Sequence, residues 1–434
     1  MTLLGQDQLH ASLTDPVLSS IGFLNEVMTR FPEAISFAPG APHLAHLMDT
    51  DLSRYIELFG EHLRATRGFD AHRVRRLLYE YGPARGLIND LVAAAVRADH
   101  GIDVPDRAVV ITVGAQEAML LTLRALFRDR SDVLAVVEPC FVGILGAARL
   151  LDIEVVAVPE RADGPDLDAL EETRARLAAQ GRRIRAMYVA PDHANPSGTV
   201  MDLAARRALL AAADRSELML IEDNAYCFTA APGTELPSLK ALPGGERVVQ
   251  IGTFAKLCLP GARVGYAIAD QQMTGADGAL RLLADDLAAL KSMVTVNTSP
   301  LCQAVIAGML LEQGGSLAAL GRRRGTLYRR NLGLLLQALD RHVPPLPDVR
   351  WNRPQGGFFV RMQLPVPVDE ALLERSAARF GVLWTPMAQF YLSDAGEREL
   401  RLSCSYLDPE QIDQGVRRLA AFLREVAAPV GAGT

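Results

Sequence analysis

The chain has 434 residues, 49% hydrophobic and 22% charged, with a formal net charge of −6. That length allows two or three domains around a large core, while the acidic balance excludes the basic footprint of a general nucleic-acid binder. No run of about eighteen uncharged apolar residues occurs, and the opening MTLLGQDQLHASLTDP lacks the basic segment and apolar core of a signal peptide, so a cytoplasmic protein without membrane contact is expected.

Residues 1–45 read as an arm. Asp15-Pro16 precedes an amphipathic stretch over 17–30, and ISFAPGAPH at 35–43 runs extended through its prolines. Such a segment brings Gly40 close to another surface, or is a plain linker. LLYEYGPARG at 77–86 is a predicted turn with Tyr81 on the loop, leading into a helix over 87–99. A strand over 106–112 meets Val113-Gly114-Ala115-Gln116, which opens a helix over 117–127. That order points free N–H groups at an anion, although many such turns bind nothing. Short apolar runs follow at 133–137, 153–158, 186–189, 218–221, 248–251 and 265–269, with helical runs such as 167–179 and 203–214 between them.

Apolar runs alternating with helices predict an α/β fold, a mostly parallel sheet covered on both faces. Ligands of such sheets bind beyond the carboxyl ends of the strands. Gly114, Phe141, Asn195, Asp223, Tyr226 and Lys256 all fall just after strand-like runs, so they converge on one edge. From 275 the chain reads as helical, with long helices over 301–311 and 316–342. A small α+β part follows, with strands at 357–362, 382–385 and 400–403 and helices at 369–380 and 409–426; the tail 427–434 is expected to fray. The expected organisation is an arm (1–45) joining the small domain, a large domain (46–300), and an interdomain helix with the small domain (301–434). The five cysteines, Cys140, Cys227, Cys258, Cys302 and Cys404, show no metal-ligand spacing. They read as core residues of a reducing compartment, with room for one thiol near a site, and no metal is expected.

The densest stretch is QIGTFAKLCLPGARVG at 250–265, centred on Lys256. Of 45 basic residues only Lys240, Lys256 and Lys291 are lysines. Arginine cannot form an imine; lysine can. An amine in this apolar setting should be desolvated, which lowers its pKa and makes it a nucleophile for a Schiff base. The competing reading is a surface lysine that snorkels. Arg322, Arg323 and Arg324 read as a solvated helix face.

In their order, these motifs resemble the fold-type I pyridoxal-phosphate enzymes, and among them the class I/II aminotransferases of the aminoadipate and aromatic branch. The resemblance runs from ISFAPGAP to RLSCS, with GTFAKLCLPGARVGY at its centre. It implies pyridoxal 5′-phosphate as cofactor and a large parallel-sheet domain with a small α+β domain. Lys256 would hold the cofactor aldehyde and move the proton between Cα and the cofactor. Asp223, in IEDNAY, would face the pyridine nitrogen; read alone it is a cap after a strand. Tyr226 and Asn195 would contact the phenolic oxygen, although Asn-Pro-Ser-Gly alone is an ordinary turn. Phe141 would stack on the ring; alone it reads as core.

The backbone of Gly114, Ala115 and Gln116, with Thr253 and Arg263, would seat the phosphate. Tyr81 would reach that phosphate from a partner subunit, which implies a homodimer. Arg401 would take the substrate α-carboxylate, and Gly40 would let the arm lie close to it. The implied reaction transfers an amino group from an L-amino acid to a 2-oxo acid by ping-pong chemistry; elimination, cyclisation or oxidation on the same scaffold is the alternative. A regulatory domain is the remaining rival, disfavoured by the acidic charge and the lack of a basic segment before Ile35. Three departures bear on substrate choice: Ala255 before the lysine, Pro386-Met387-Ala388-Gln389-Phe390 where relatives carry Pro-Gly before Phe, and His193, read as a solvent-facing loop residue. Pocket walls are expected near the arm and around Met387.

Overall fold

The computed structural model describes residues 4–15, 17–18, 26–48, 50–275 and 278–427. Much of the predicted amphipathic stretch (19–25) and nearly all of the tail (428–434) lie outside the described residues. Two helices open the large part of the chain. Helix α1 (Leu52–Arg67) starts at Asp51, whose carboxylate accepts from the Arg54 N–H; α2 (Ala71–Tyr79) starts at Asp70 in the same way. Neither helix is predicted from the sequence, and α2 takes the first three residues of the expected 77–86 turn. Two signals are available: the aspartate caps, and apolar residues at helical spacing, Leu52, Tyr55, Ile56, Phe59 and Leu63 in α1 and Val74, Leu77 and Leu78 in α2.

Helix α3 (Asn89–His100) leads to β1 (Val109–Thr112), α4 (Gly114–Leu126), β2 (Asp132–Glu138), α5 (Val142–Leu150) and β3 (Glu154–Arg161). Then come α6 (Leu167–Ala178), β4 (Arg183–Val189), α7 (Leu203–Arg215), β5 (Met219–Asn224), β6 (Val248–Thr253) and β7 (Gly265–Ile268). The large sheet has the order β1-β7-β6-β5-β4-β2-β3, with Gly164–Pro165 at its edge. The β2–β3, β2–β4, β4–β5 and β5–β6 pairs are parallel, whereas β7 runs antiparallel to both β1 and β6. The carboxyl ends of β1, β2, β4, β5 and β6 therefore share one edge.

Alternation along β2 explains the continuous apolar runs. Leu134 and Val136 enter one core and Val133 and Ala135 another, on the opposite face. Each fully buried side chain of this size contributes about 1.5–3 kcal/mol relative to exposure. Beyond β7, where helix was expected from 275, Gln272–Thr274 and Leu280–Leu282 instead pair as a hairpin.

Helices α8 (Leu283–Val294), α9 (Pro300–Glu312) and α10 (Leu317–His342) follow. Leu317 sits in the large core, and Leu332, Leu335 and Leu339 in a separate small one, so α10 spans both. Arg324 corrects the solvated-face reading of 322–324. Helical rotation turns it inward, where it is buried and donates to Cys258 O at 2.6 Å, while Arg322 and Arg323 stay exposed.

The small part holds β8 (Phe359–Gln363), α11 (Glu370–Phe380), β9 (Val382–Leu383), β10 (Thr385–Pro386), β11 (Glu399–Ser403) and α12 (Pro409–Val426). Arg350–Trp351, β8, β11 and β10 form an antiparallel sheet in that order. The arm joins it: Ile35–Ser36 pairs with β9, and Phe37 O accepts from Ser403 N–H at 2.7 Å. Pro39 to Pro42 then cross the edge where the large strands end. No single helix among the described residues is long and apolar enough to cross a membrane.

Candidate active site

A cleft of about 460 Å³ opens at that edge, between the large sheet, the arm and the small sheet. Strand β6 is buried along its length and delivers Thr253 to the cleft. The chain then folds back, with Cys258 N–H donating to Phe254 O at 2.7 Å, and this tight turn carries Lys256. The Lys256 ammonium donates to Gly40 O at 2.6 Å across the cleft. The other two lysines are buried against carboxylates: Lys240 on Asp270, and Lys291 on Glu117 at 2.7 Å. Lys256 has no such partner among the described residues. Burial, with Arg401 and Arg263 nearby, draws its pKa down to about 8 against the opposing pull of Asp223.

Asp223 is the next-to-last residue of β5. Its Oδ2 accepts from the Tyr188 hydroxyl at 2.6 Å, while Oδ1 is buried with no hydrogen-bond partner among the described residues. Burial raises its pKa to about 6, despite the Tyr188 bond and the Lys256 charge. Tyr226 is buried against the edges of Phe358 and Phe359, at ring-centroid distances of 5.0 and 5.7 Å. Burial pushes its phenol up.

At one end of the cleft, β1 runs into α4. Gly114 adopts φ +73°, and a side chain there would come within 2.6 Å of the Arg263 guanidinium. Glycine thus lets Arg263 lie over the start of α4, beside Ala115, Gln116 and Thr253. Free helix N–H groups, a hydroxyl and a guanidinium make an anion seat.

At the other end, Arg401 on β11 is buried. Its Nη1 donates to Asn195 Oδ1 at 2.6 Å and its Nη2 to Ala38 O at 2.9 Å, while Nε is buried without a partner among the described residues. Its guanidinium carbon lies 4.3 Å from the Phe359 ring centroid and 5.0 Å from that of Phe390. Phe141, after β2, lines the wall between the two ends.

The cleft thus gathers Gly40, Ala115, Gln116, Phe141, Asn195, Asp223, Tyr226, Thr253, Lys256, Arg263 and Arg401. Gly114 stands just behind. Tyr81 does not line the cleft and is 87% exposed in the single chain. Sequence reasoning missed Tyr188, which lies in an apolar run; a tyrosine on a buried strand needs a partner for its hydroxyl, and that need is the signal. It also missed Phe359.

One expectation is corrected. His193 is not solvent-facing: it is 4% exposed, its ring packed on the Gly356-Gly357 turn of the small part, and burial lowers its pKa. The wall expected around Met387 is supplied by Gln389 and Phe390, while Met387 itself is fully buried. Cys140, which adjoins Phe141, is buried, and burial pushes its thiol pKa well up.

Fold and site define a pyridoxal-phosphate transferase, and the chain belongs to the class I and II aminotransferases, whose family pattern matches residues 75–419. It is 47% identical over 422 residues to an (S)-3,5-dihydroxyphenylglycine transaminase of Amycolatopsis orientalis, covering 97% of this chain and 95% of that protein. It is 33% identical over 409 residues to a 2-aminoadipate transaminase of Thermus thermophilus, covering 93% of each. Among solved structures, the Thermus α-aminoadipate aminotransferase with N-(5′-phosphopyridoxyl)-L-leucine superposes with a TM-score of 0.74 at 30% identity, covering 94% of this chain and 97% of that one. The chain is therefore a pyridoxal-phosphate-dependent aminotransferase, acting on an amino acid and a 2-oxo acid. Its residues fit the cofactor: the unpartnered Asp223 Oδ1 awaits a donor such as a protonated ring nitrogen, and the anion seat suits a phosphate.

Proposed function

We propose that this enzyme takes the amino group from a neutral, aromatic L-α-amino acid, working in the cytoplasm as a homodimer with ping-pong kinetics. The observation that carries the donor class is the use of charge in the cleft. Its charged side chains are Lys256, Asp223, Arg263 and Arg401, and each has a role with the cofactor or the α-carboxylate. Among the described residues no further cation or anion lines it to pair with an acidic or basic donor side chain. The remaining wall is mostly apolar, with Met28, Val142 and Phe390, plus the Gln389 amide, which suits a ring hydroxyl. The Amycolatopsis relative, named for a dihydroxyphenyl amino acid, supports this over the acidic donor of the Thermus relative.

Bound pyridoxal phosphate supplies an aldehyde that condenses with amines and a ring that accepts electrons as the donor's Cα–H bond breaks. Lys256 Nζ would be the point of attachment for the aldehyde and, when free, the base that takes the donor's Cα proton and returns it. Asp223 Oδ1 would keep the proton on the ring nitrogen. Thr253, Arg263 and the start of α4 would hold the phosphate, Phe141 would cover the ring, and Tyr226 and Asn195 would serve the phenolic oxygen. Arg401 binds the α-carboxylate of the donor and then of the acceptor, so one cleft serves both half-reactions. Mixing the loaded enzyme with single donors, without acceptor, tests this. Aromatic donors should convert the visible absorbance to the amine form fastest, and glutamate, aminoadipate and lysine at least about tenfold slower, as an unpaired charge in the cleft requires. Absence of conversion by every donor would favour elimination, cyclisation or oxidation.

The dimer reading rests on an exposed apolar patch near Tyr81. Gly82 approaches Asn297 and Pro300, and the neighbouring Tyr79, Met293 and Val296 are 74%, 85% and 49% exposed. Val296 also sits at φ +67°, a costly conformation for a β-branched residue. Tyr81 would complete the partner's phosphate seat. At limiting cofactor, Tyr81→Ala and Lys256→Ala proteins should each be inactive, and activity should return after subunits are mixed and exchanged. No recovery from exchanged subunits would rule out composite sites.

A further inference from the structure

The segment that departs from the usual family sequence supplies two cleft walls, Gln389 and Phe390, from the small part of the molecule. Within the small part it is held by Phe390 N–H to Met387 O at 2.9 Å, Tyr391 N–H to Ala388 O at 3.1 Å, Met387 N–H to Glu399 O at 3.0 Å, the Gln389 amide to Pro386 O at 3.3 Å and the Tyr391 hydroxyl to Glu399 Oε2 at 2.6 Å. What fixes it across the cleft comes from the end of β2. Cys140 N–H donates to Phe390 O at 2.7 Å. The Glu138 carboxylate accepts three donors from the same loop: Leu392 N–H and Ser393 N–H (3.2 Å) on Oε1, and the Ser393 hydroxyl (3.0 Å) on Oε2. Under this clasp Phe390 packs with Val142 and Phe141.

We propose that Glu138 is a positioning residue that latches the 387–393 loop to the large sheet and so sets the pocket for the donor's side chain. Hydrogen bonds to an ionised carboxylate are about twice as strong as neutral ones, so this one side chain, with three donors, supplies most of the loop's hold on the large sheet, while Glu399 holds Tyr391 within the small part. Glu138 lies three residues before Phe141, so the latch references the side-chain wall to the surface that covers the cofactor. The α-carboxylate end is held separately, by Arg401 on β11. Loosening the latch therefore acts on large side chains and spares small ones.

This inference uses the aromatic-donor reading only to choose its reporter. Glu138→Gln, Glu138→Ala and Ser393→Ala holoenzymes would be assayed with the best large donor of the wild type and with L-alanine. For Glu138→Ala, KM for the large donor should rise about 10- to 100-fold with kcat within about threefold, and KM for alanine should change less than about threefold. Ser393→Ala and Glu138→Gln should fall between. In cofactor-free protein, amide exchange over 390–393 should quicken in Glu138→Ala while β2 keeps its protection. Equal losses for both donors, or unchanged exchange in the loop, would overturn the latch. A wild type that prefers acidic or aliphatic donors would instead sink the donor reading, with the exchange result still deciding the latch.

Discussion

Alanine at position 256 is expected to lower turnover by at least about 10⁴-fold, with loss of the borohydride-trapped cofactor adduct and with the fold intact. The fold should survive because Lys256 is a liability to it. Its pKa falls from 10.5 in the open chain to about 8 in the folded one, chiefly through burial and then through Arg401 and Arg263. Between those values the unfolded chain carries a proton that the folded chain does not, so the cofactor-free protein gains stability as pH rises through that window. Below it, folding buries a cation with no carboxylate partner. Lys256→Ala removes that cost, and the cofactor-free variant should melt at or above the wild type at pH 7. Calorimetry from pH 6.5 to 9.5, beside a turnover assay, checks both halves. Retained turnover would remove Lys256 from the chemistry, and a large drop in melting temperature would show that it is structural.

Asparagine at position 223 is expected to lower kcat by about 10²- to 10³-fold, the scale of losing one preorganised electrostatic partner in a dry site. The side chain keeps its shape and can still accept from Tyr188, so the change is in charge. Burial has already raised Asp223 to about 6, and ionisation is needed to hold a proton on the ring nitrogen facing Oδ1. Cofactor should still be retained, because the phosphate seat and Lys256 are untouched. Bound-cofactor absorbance and single-turnover rates with the best donor separate the two. A kcat within about threefold of wild type would mean that Oδ1 faces something other than the ring nitrogen.

Both predictions concern residues whose place is legible in the order of amino acids, and the reason is local. A strand ending in a turn fixes where the next side chain goes, so Asp223 at the end of its apolar run, near the close of β5, and Lys256 after β6 follow from the apolar runs alone. Helices α1 and α2 carry local signals as well, apolar residues at helical spacing and aspartate caps, masked by the charged residues that dominate the segment's composition. The 272–282 hairpin is misread as helix because its short strands carry little alternation.

The chain's own order of residues determined the alternation of strands and helices, the edge on which the site forms, the isolation of Lys256 among arginines, and the resemblance to one family of enzymes. Tertiary structure alone decided what those residues meet. It set Tyr188 on Asp223, left Oδ1 without a donor, turned His193 and Arg324 inward, and brought Glu138 to a loop more than two hundred and fifty residues away. Periodicity and turn chemistry act over a few residues and are written into neighbours. The partner of a buried polar atom is chosen by packing between distant segments, and that choice exists only once the sheet, the arm and the small domain have closed on one another.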